Sequence, residues 1–444
     1  MYNSSIAQPP VELHVQLFST SPLGLLYWAI PFEALASEFP PPARAVSGKG
    51  CKPWFDVKGG IALQVLKAYY RCSDAKLIEL LNGSYQLQRF CSIELQGSEQ
   101  IRDKGIVSRW RTYLSRCLNI DRLQLRCVQL WRPFINHPHS GFCDATVYES
   151  YITYPSDAKL LWRATDSVYH LIQGTRKQLG LRASRIHHGK RKTRYLSFAR
   201  KRKKSRGENK RVCRWLLEYL KRLLIHLERL TTRYHPSLSL FGGQRLQTVY
   251  ALQEQQERQY LNGEKNIPHR IVSLHKPYVR PIIRGKESKP VEFGCKVNFL
   301  QVDGINFLEH VSYENFNEGT RLKSTIELQT RYFGACYQMG ADAIYATNEN
   351  RRYCREHHIA TSFVPKGKEG KLVEQKATMR SLLATVRSTV LEGSFGNEKT
   401  HYCLDQIKAR TQSNEMVWLF FSLLTCNAMQ IGRRMQAIDH RQAA

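Results

Sequence analysis

Between Arg182 and Arg214 the chain carries 15 Lys or Arg residues and a single acid, Glu208. No core can take such a stretch, because a buried, unpaired cation costs far more than its packing returns. A solvated face is the plainer reading, yet such faces usually mix both signs. The run also leads into a helix pattern. Val212, Trp215, Leu216, Tyr219, Leu220, Leu223, Leu224, Leu227 and Leu230 recur at spacings of three and four, the apolar stripe of an amphipathic helix. The fold must therefore include a long helical layer, apolar on one side and cationic beside it. Such a layer can lie along phosphates, and each neutralised phosphate makes binding more salt-sensitive. DNA and RNA both fit at this level.

The whole chain shares this bias, with 67 Lys and Arg against 37 acids and a net charge of +30. Charge of that size opposes compaction, so a polyanionic partner is implied: nucleic acid first, an anionic membrane surface second. The 444 residues, 42% hydrophobic, suffice for two or three globular domains. The longest apolar run, Met416–Met429, is broken by Ser422, Thr425 and Asn427 and reads as a buried helix, too short to span a bilayer. The "LGLLYWAI" segment lacks the charged flank of a secretory signal. Twelve cysteines without a CxxC read as reduced thiols of a cytoplasmic protein. Cys354, His357 and His358 in "CREHH" lack the second half of a zinc site.

Along the chain, the "PPPARAVSGKG" stretch, Pro40–Gly50, marks a loop. Gly59–Cys91 reads as two short helices with Ser73 as N-cap and Asn82-Gly83 as stop, compatible with a helix-turn-helix or a plain bundle. A third helix is expected over about Ser98–Leu118, carrying Arg109, Arg111 and Arg116. Ser140–Pro155 reads as a strand, and helices are expected over about Lys159–Asn262. Beyond a Pro-broken linker, Pro268–Pro290, the pattern alternates on both sides of Asp303-Gly304, a hairpin turn signal. A strand ending at Asp342 follows, with Thr347 or Asn348 as the next helix cap, then late helices. The sum is a mixed α/β core interrupted by a mainly helical insertion.

Asp144 stands inside the first strand, where a carboxylate is costly unless it is paired or holds a metal. Asp342 ends a later strand, the place where open α/β sheets put their sites. Glu392 lies on a late helix, with Lys399 two turns on and on the same face. Three carboxylates from separate elements can hold two magnesium ions, which favour oxygen ligands and can serve both oxygens of a phosphoryl transfer. Spacing alone leaves Glu149, Asp157, Asp303, Glu349 and Glu398 as rivals.

Four ordered blocks narrow the choice: "CDATVYESYITYPSDAKLLW", "EFGCKVNFLQVDGINFLEHVSYENFNEG", "ADAIYATNENRRYCREHHI" and "LEGSFGNEKTHYCLDQIKAR". Together they resemble DDE transposases of bacterial insertion sequences, most closely the insertion-sequence-five-like branch. The block Val57–Ile93 is similar to that group's N-terminal domain, and the likeness runs from about Pro31 to Ala428. The resemblance implies an RNase H-like mixed sheet with flanking helices, split as 126–158 and 285–444. A helical DNA-binding domain over 1–125 and a basic helical insertion over 159–284 complete the organisation. It also implies Asp144, Asp342 and Glu392 as catalytic metal ligands for Mg²⁺, with Mn²⁺ as a substitute, and Tyr345 in an Asp-x-x-Tyr context. Lys399 is then expected to hold a strand phosphate, and Arg200, Lys201, Arg202, Lys203, Lys204 and Arg206 to contact DNA. The partners implied are terminal inverted repeats and target DNA, bound by a homodimer at the bacterial nucleoid in the cytoplasm, with no membrane.

The chain departs from the family pattern in two places. The family carries an arginine four residues before its glutamate and a tyrosine before that; Ser388 stands at the arginine's place, and Arg387 is one residue too far. The usual segment after the second acid is replaced by Thr361–Lys371. Three other functions stay in view: a catalytically inactive, transposase-derived DNA-binding protein; an RNA-binding protein; and a tyrosine recombinase using His188, Arg191 and Tyr219.

Overall fold

The computed structural model describes residues 11–42, 53–235, 243–284, 290–367 and 373–443. The loop read over Pro40–Gly50 lies mostly outside them, as do part of the Pro268–Pro290 linker and the end of Thr361–Lys371. The chain divides into two compact units. One comprises Met1–Ser150, Cys295–Ser312 and Phe316–Ala444, the other Tyr151–Gly294 and Tyr313–Asn315.

The described residues form six strands: β1 (Ser140–Glu149), β2 (Arg280–Ile283), β3 (Val291–Val302), β4 (Ile305–Ser312), β5 (Gln338–Ala341) and β6 (Ala360–Thr361). In the first unit their order is β4, β3, β1, β5, β6. β4 folds back antiparallel on β3, while β5 runs parallel to β1 and β6 parallel to β5. The β3–β4 turn is at Asp303-Gly304, where φ is 50° and 78°, the left-handed pair that a two-residue hairpin needs. β1 is buried on both faces, with Cys143, Val147 and Tyr148 at most 1% exposed. It ends at Glu149, short of the expected Pro155, because the chain there leaves the first unit.

The helix Val57–Tyr70 is a core element, with Ile61, Ala62, Leu63, Val65 and Leu66 wholly buried. Ser73 caps the next helix, Asp74–Gly83, by accepting the Lys76 N–H at 3.1 Å. The third helix covers only Ile106–Ser115. Its expected start fails because Ile101 is pinned at both ends to the Asn82 side chain, at 2.9 and 3.1 Å. Arg111 is buried against Gln64 and Asp74 and faces no solvent phosphate. The apolar run Met416–Met429 lies in the helix Gln412–Ala443 and buries Val417, Leu419, Phe421 and Leu424. No helix among the described residues is long and apolar enough to cross a membrane.

A buried polar network fastens the helix Glu392–His401 to the sheet. Glu398 is fully buried and accepts hydrogen bonds from the Tyr148 hydroxyl of β1 and the Asn306 amide of β4. Asn306 also donates to Ser394 at 2.8 Å, accepts from Gln301 at 2.8 Å and, through its carbonyl, from Asn427 at 2.7 Å. Such a network fixes one packing, since each group left unpaired would cost its full desolvation.

In the second unit the described residues of the expected helical region form four helices: Asp157–Gln178, His188–Ala199, Arg206–Tyr234 and Gly243–Tyr260. The leucine stripe of Arg206–Tyr234 is buried with Val168, Leu171 and Ile172 of Asp157–Gln178. β2 pairs antiparallel with Val291–Gly294, so the region read as a linker contains a strand.

Burial pushes the Glu398 carboxyl from 4.5 up to about 7. The folded state then prefers the protonated form, so this group's contribution is intact below 4.5 and lost as pH rises through about 7. Glu398→Gln should flatten that loss: the melting temperature of the variant relative to wild type should rise across this window. Parallel melting curves at both ends of the window would contradict the assignment.

Candidate active site

β1 and β5 pair in parallel with Cys143 opposite Ala341. Asp144 follows within β1 and Asp342 follows just past the end of β5, so the register brings the two carboxylates close enough for Asp342 to act on Asp144. Each accepts a hydrogen bond from the backbone N–H that follows it, Ala145 at 2.7 Å and Ala343 at 2.6 Å. Asp144 lies mid-strand, whereas Asp342 leads the tight turn Ala343–Tyr345. Tyr345, fully buried, anchors that turn by donating to Asn298 Oδ1 at 2.6 Å. Asn298, on β3, in turn donates to Thr325 and Glu309, each at 3.0 Å.

Glu392 reaches the same place through an irregular helix. Val373–Val386 is α-helical, Arg387–Leu391 is a single π turn, and Glu392–His401 resumes the α-helix. The Glu392 N–H bonds to the Arg387 carbonyl, five residues back. Arg387 Nη1 then lies 2.8 Å from Asp144 Oδ2 and 3.1 Å from Glu392 Oε1. Two oxygens bound to one nitrogen can be no farther apart than the sum of those distances, so Arg387 ties the first and third carboxylates together. By spacing alone Arg387 is one residue too far from the glutamate. The π turn takes up that residue. The extra residue before Glu392 was itself the available signal, but no propensity scale marks a π turn.

Lys399 points back to β1, where Nζ donates to Thr146 Oγ1 at 3.1 Å and sits 5.5 Å from the centre of the Tyr148 ring. Thr146 and Asp144 are two residues apart on one strand and share a face. Lys399 therefore lies beside Asp144 along the strand.

Burial raises the Asp144 carboxyl to about 6; the Ala145 N–H and Arg387 oppose this, while Glu318 and Asp342 add to it. Glu318 is thus a fourth carboxylate close enough to act on Asp144, one that the sequence reading missed; it pairs with Lys296 at 2.8 Å. Among the described residues no group of three His, Cys, Asp or Glu side chains is arranged to hold a metal as it stands. The donor set nevertheless fits Mg²⁺: all three are carboxylates, and two already share one cation, the Arg387 guanidinium. A cavity of about 540 Å³ beside Leu308, Ser324 and Arg331 is lined by none of the three.

Three of the rival acids have other partners. Asp157 accepts from Arg270 at 2.7 Å and from Tyr260 at 2.8 Å. Asp303 pairs with Arg434 at 2.8 Å, Glu349 sits in the first turn of Asn348–Glu356, and Glu398 is buried in the network above. The structure does bring His188, Arg191 and Tyr219 together: His188 Nδ1 is 2.8 Å from the Tyr219 hydroxyl, and Arg191 lies over its ring. But Tyr219 is 2% exposed and burial pushes its phenol up to about 12, the opposite of what an attacking phenolate needs. Arg200, Lys201, Arg202, Lys203, Lys204 and Arg206 are all exposed on and around the loop between His188–Ala199 and Arg206–Tyr234.

Residues 339–423 match a protein-family model described as Transposase DDE domain. The matched segment contains Asp342, Glu392 and Lys399 and begins beyond Asp144. It supports a DDE transposase, and a largely helical α/β structure around a mixed sheet is consistent with that domain. Comparison with curated proteins and with solved structures finds no match.

Two outcomes follow from the shared guanidinium. Arg387→Ala should destabilise the metal-free protein by about 2 kcal/mol, the size of a lost hydrogen bond to a charged group. Saturating Mn²⁺ should recover much of that loss, because the ion supplies the missing positive charge. Equal losses in thermal melts with and without Mn²⁺ would separate Arg387 from the metal site. Protons compete with a metal for the same carboxylate, so Mn²⁺ affinity measured by calorimetry should fall as pH drops through about 6. Affinity constant from pH 7 to 5 would exclude Asp144 as a ligand.

Proposed function

We propose that this chain is an insertion-sequence transposase of the insertion-sequence-five-like branch, cutting and joining DNA through Asp144, Asp342 and Glu392 on an RNase H-like sheet. The observation that supports the reading is Arg387, which binds both Asp144 and Glu392, together with a strand pairing that ends one residue before Asp144 and Asp342. The match to a transposase DDE domain over 339–423 supports the same chemistry. The three carboxylates would hold Mg²⁺, or Mn²⁺ in its place, which when bound activates the attacking hydroxyl or water and stabilises the leaving oxygen. Arg387 balances the acids' charge, Tyr345 fixes the turn that presents Asp342, and Lys399 positions a strand phosphate next to Asp144.

In this reading the N-terminal helices of 1–125 distinguish the terminal inverted repeats. The basic insertion, 159–284, follows phosphates of either end or target through the loop Arg200–Arg206, and the protein works at the nucleoid in the cytoplasm. Two ends must be processed together, and one chain has one acidic trio, so a dimer assembles on DNA. Closed twofold pairing is the commonest arrangement for such assemblies.

Asp144→Asn, Asp342→Asn and Glu392→Gln should each lower Mg²⁺-dependent cleavage of an end-containing duplex by at least a thousandfold, with DNA affinity within about threefold of wild type. Each change removes a metal donor and no phosphate contact. Normal cleavage by any one variant excludes that residue. A wild-type protein that binds its ends but cuts with neither Mg²⁺ nor Mn²⁺ would favour the inactive, transposase-derived binding protein.

A further inference from the structure

The second unit holds a feature outside the acidic trio and apart from the loop Arg200–Arg206. His188, at the start of the helix His188–Ala199, is buried; its Nε2 lies 3.0 Å from Asp166 Oδ1 and its Nδ1 2.8 Å from the Tyr219 hydroxyl. Its ring stacks on Tyr169, with centroids 4.0 Å apart, and on Trp162 at 5.1 Å. These contacts fasten one end of the short helix to both long ones. The fastening leaves a cavity of about 410 Å³ between His188–Ala199 and Arg206–Tyr234. Lys190, Arg191 and Arg194 line it from one helix and Arg222 from the other, with half-buried Trp215 in its wall and buried Tyr219 behind Arg191.

Two of the cations are held in place without being neutralised. The Arg191 guanidinium lies 4.1 Å from the centre of the Tyr219 ring, and that of Arg194 4.4 Å from the centre of Trp215. A guanidinium over an aromatic face keeps its in-plane N–H donors for other partners. None of the four cations pairs with a carboxylate among the described residues. Glu218 is the one acid in the lining. An inorganic phosphate would fill little of such a space. A phosphate with its flanking nucleoside would meet both the donors and the half-buried Trp215, the pairing that single-strand sites use.

We propose that this pocket binds a phosphate of a nucleic-acid strand, together with the adjoining nucleoside, and that it is a second contact separate from the exposed loop. The proposal rests on the nucleic-acid reading above and adds a defined site to it. The test uses the full chain and a variant carrying Lys190→Gln, Arg194→Gln and Arg222→Gln. Arg191 is kept because it packs on Tyr219. Affinity for a random duplex and for its single strand is measured by fluorescence anisotropy over a range of salt.

The variant should bind about tenfold more weakly, with a log–log salt slope shallower by roughly one to two, since each lost phosphate contact removes about 0.7–0.9 from the slope. Melting curves check its fold, and Arg222→Gln alone, exposed on a long helix, gives the same reading in smaller measure should the triple variant unfold. Wild-type binding with unchanged affinity and slope in the variants overturns the pocket and leaves the transposase reading standing. A wild type that binds neither nucleic acid overturns both. If inorganic phosphate or a mononucleotide stabilises wild type but not the variant, while DNA affinity is equal in the two, the pocket holds a free anion and the strand proposal fails.

Discussion

The parallel pairing of β1 with β5 is the constraint on which the first unit depends. With Cys143 opposite Ala341, Asp144 in β1 comes near Asp342, the residue just past the end of β5. Like charges in that position repel, and burial of Asp144 makes the repulsion worse. The surrounding structure answers in kind: two backbone N–H groups, one guanidinium and one strand-end turn all serve these carboxylates. A slip of one residue in this pairing would turn every side chain of a strand to the opposite face. Register is therefore the property that the rest of the unit has to defend.

The Glu398 network is part of that defence. It joins a helix, β1, β4 and the helix Gln412–Ala443 through side chains buried among phenylalanines and leucines. An apolar core at this place could be as stable, since buried polar groups at best break even against well-packed hydrophobes. Directional bonds offer selectivity instead. Tyr148 can meet Glu398 only when β1 presents its even-numbered residues to the helix, which is also the face that carries Asp144 and Thr146.

Much of this was legible in the sequence wherever the cause is local. The Asp303-Gly304 hairpin, the Ser73 cap, the leucine stripe and the strand bearing Asp144 each follow from a few consecutive residues. The failures have tertiary causes. Ile101 is kept out of a helix by Asn82, nineteen positions earlier, and Pro281 enters β2 by pairing with Phe293 of β3. At the candidate site, the strand around Asp144 and the strand end before Asp342 follow from local pattern, and the resemblance singled out the trio, but the contacts of Arg387 and Glu318 with Asp144 were not legible. Those two act through a helix irregularity and a distant turn, and neither leaves a mark on propensity or periodicity.

The π turn has one more consequence. In an α-helix each residue advances the side chains by 100°, so an added residue would swing everything after it a quarter-turn or more around the axis. Concentrating the surplus in one wide turn lets the helix on either side keep its angular phase. Glu392 and Lys399 both still look toward β1, although the segment before them is longer than the family pattern allows. What is maintained at such a site is an angle and not a count. A search for this constellation by fixed residue spacing would pass over a chain whose geometry is intact.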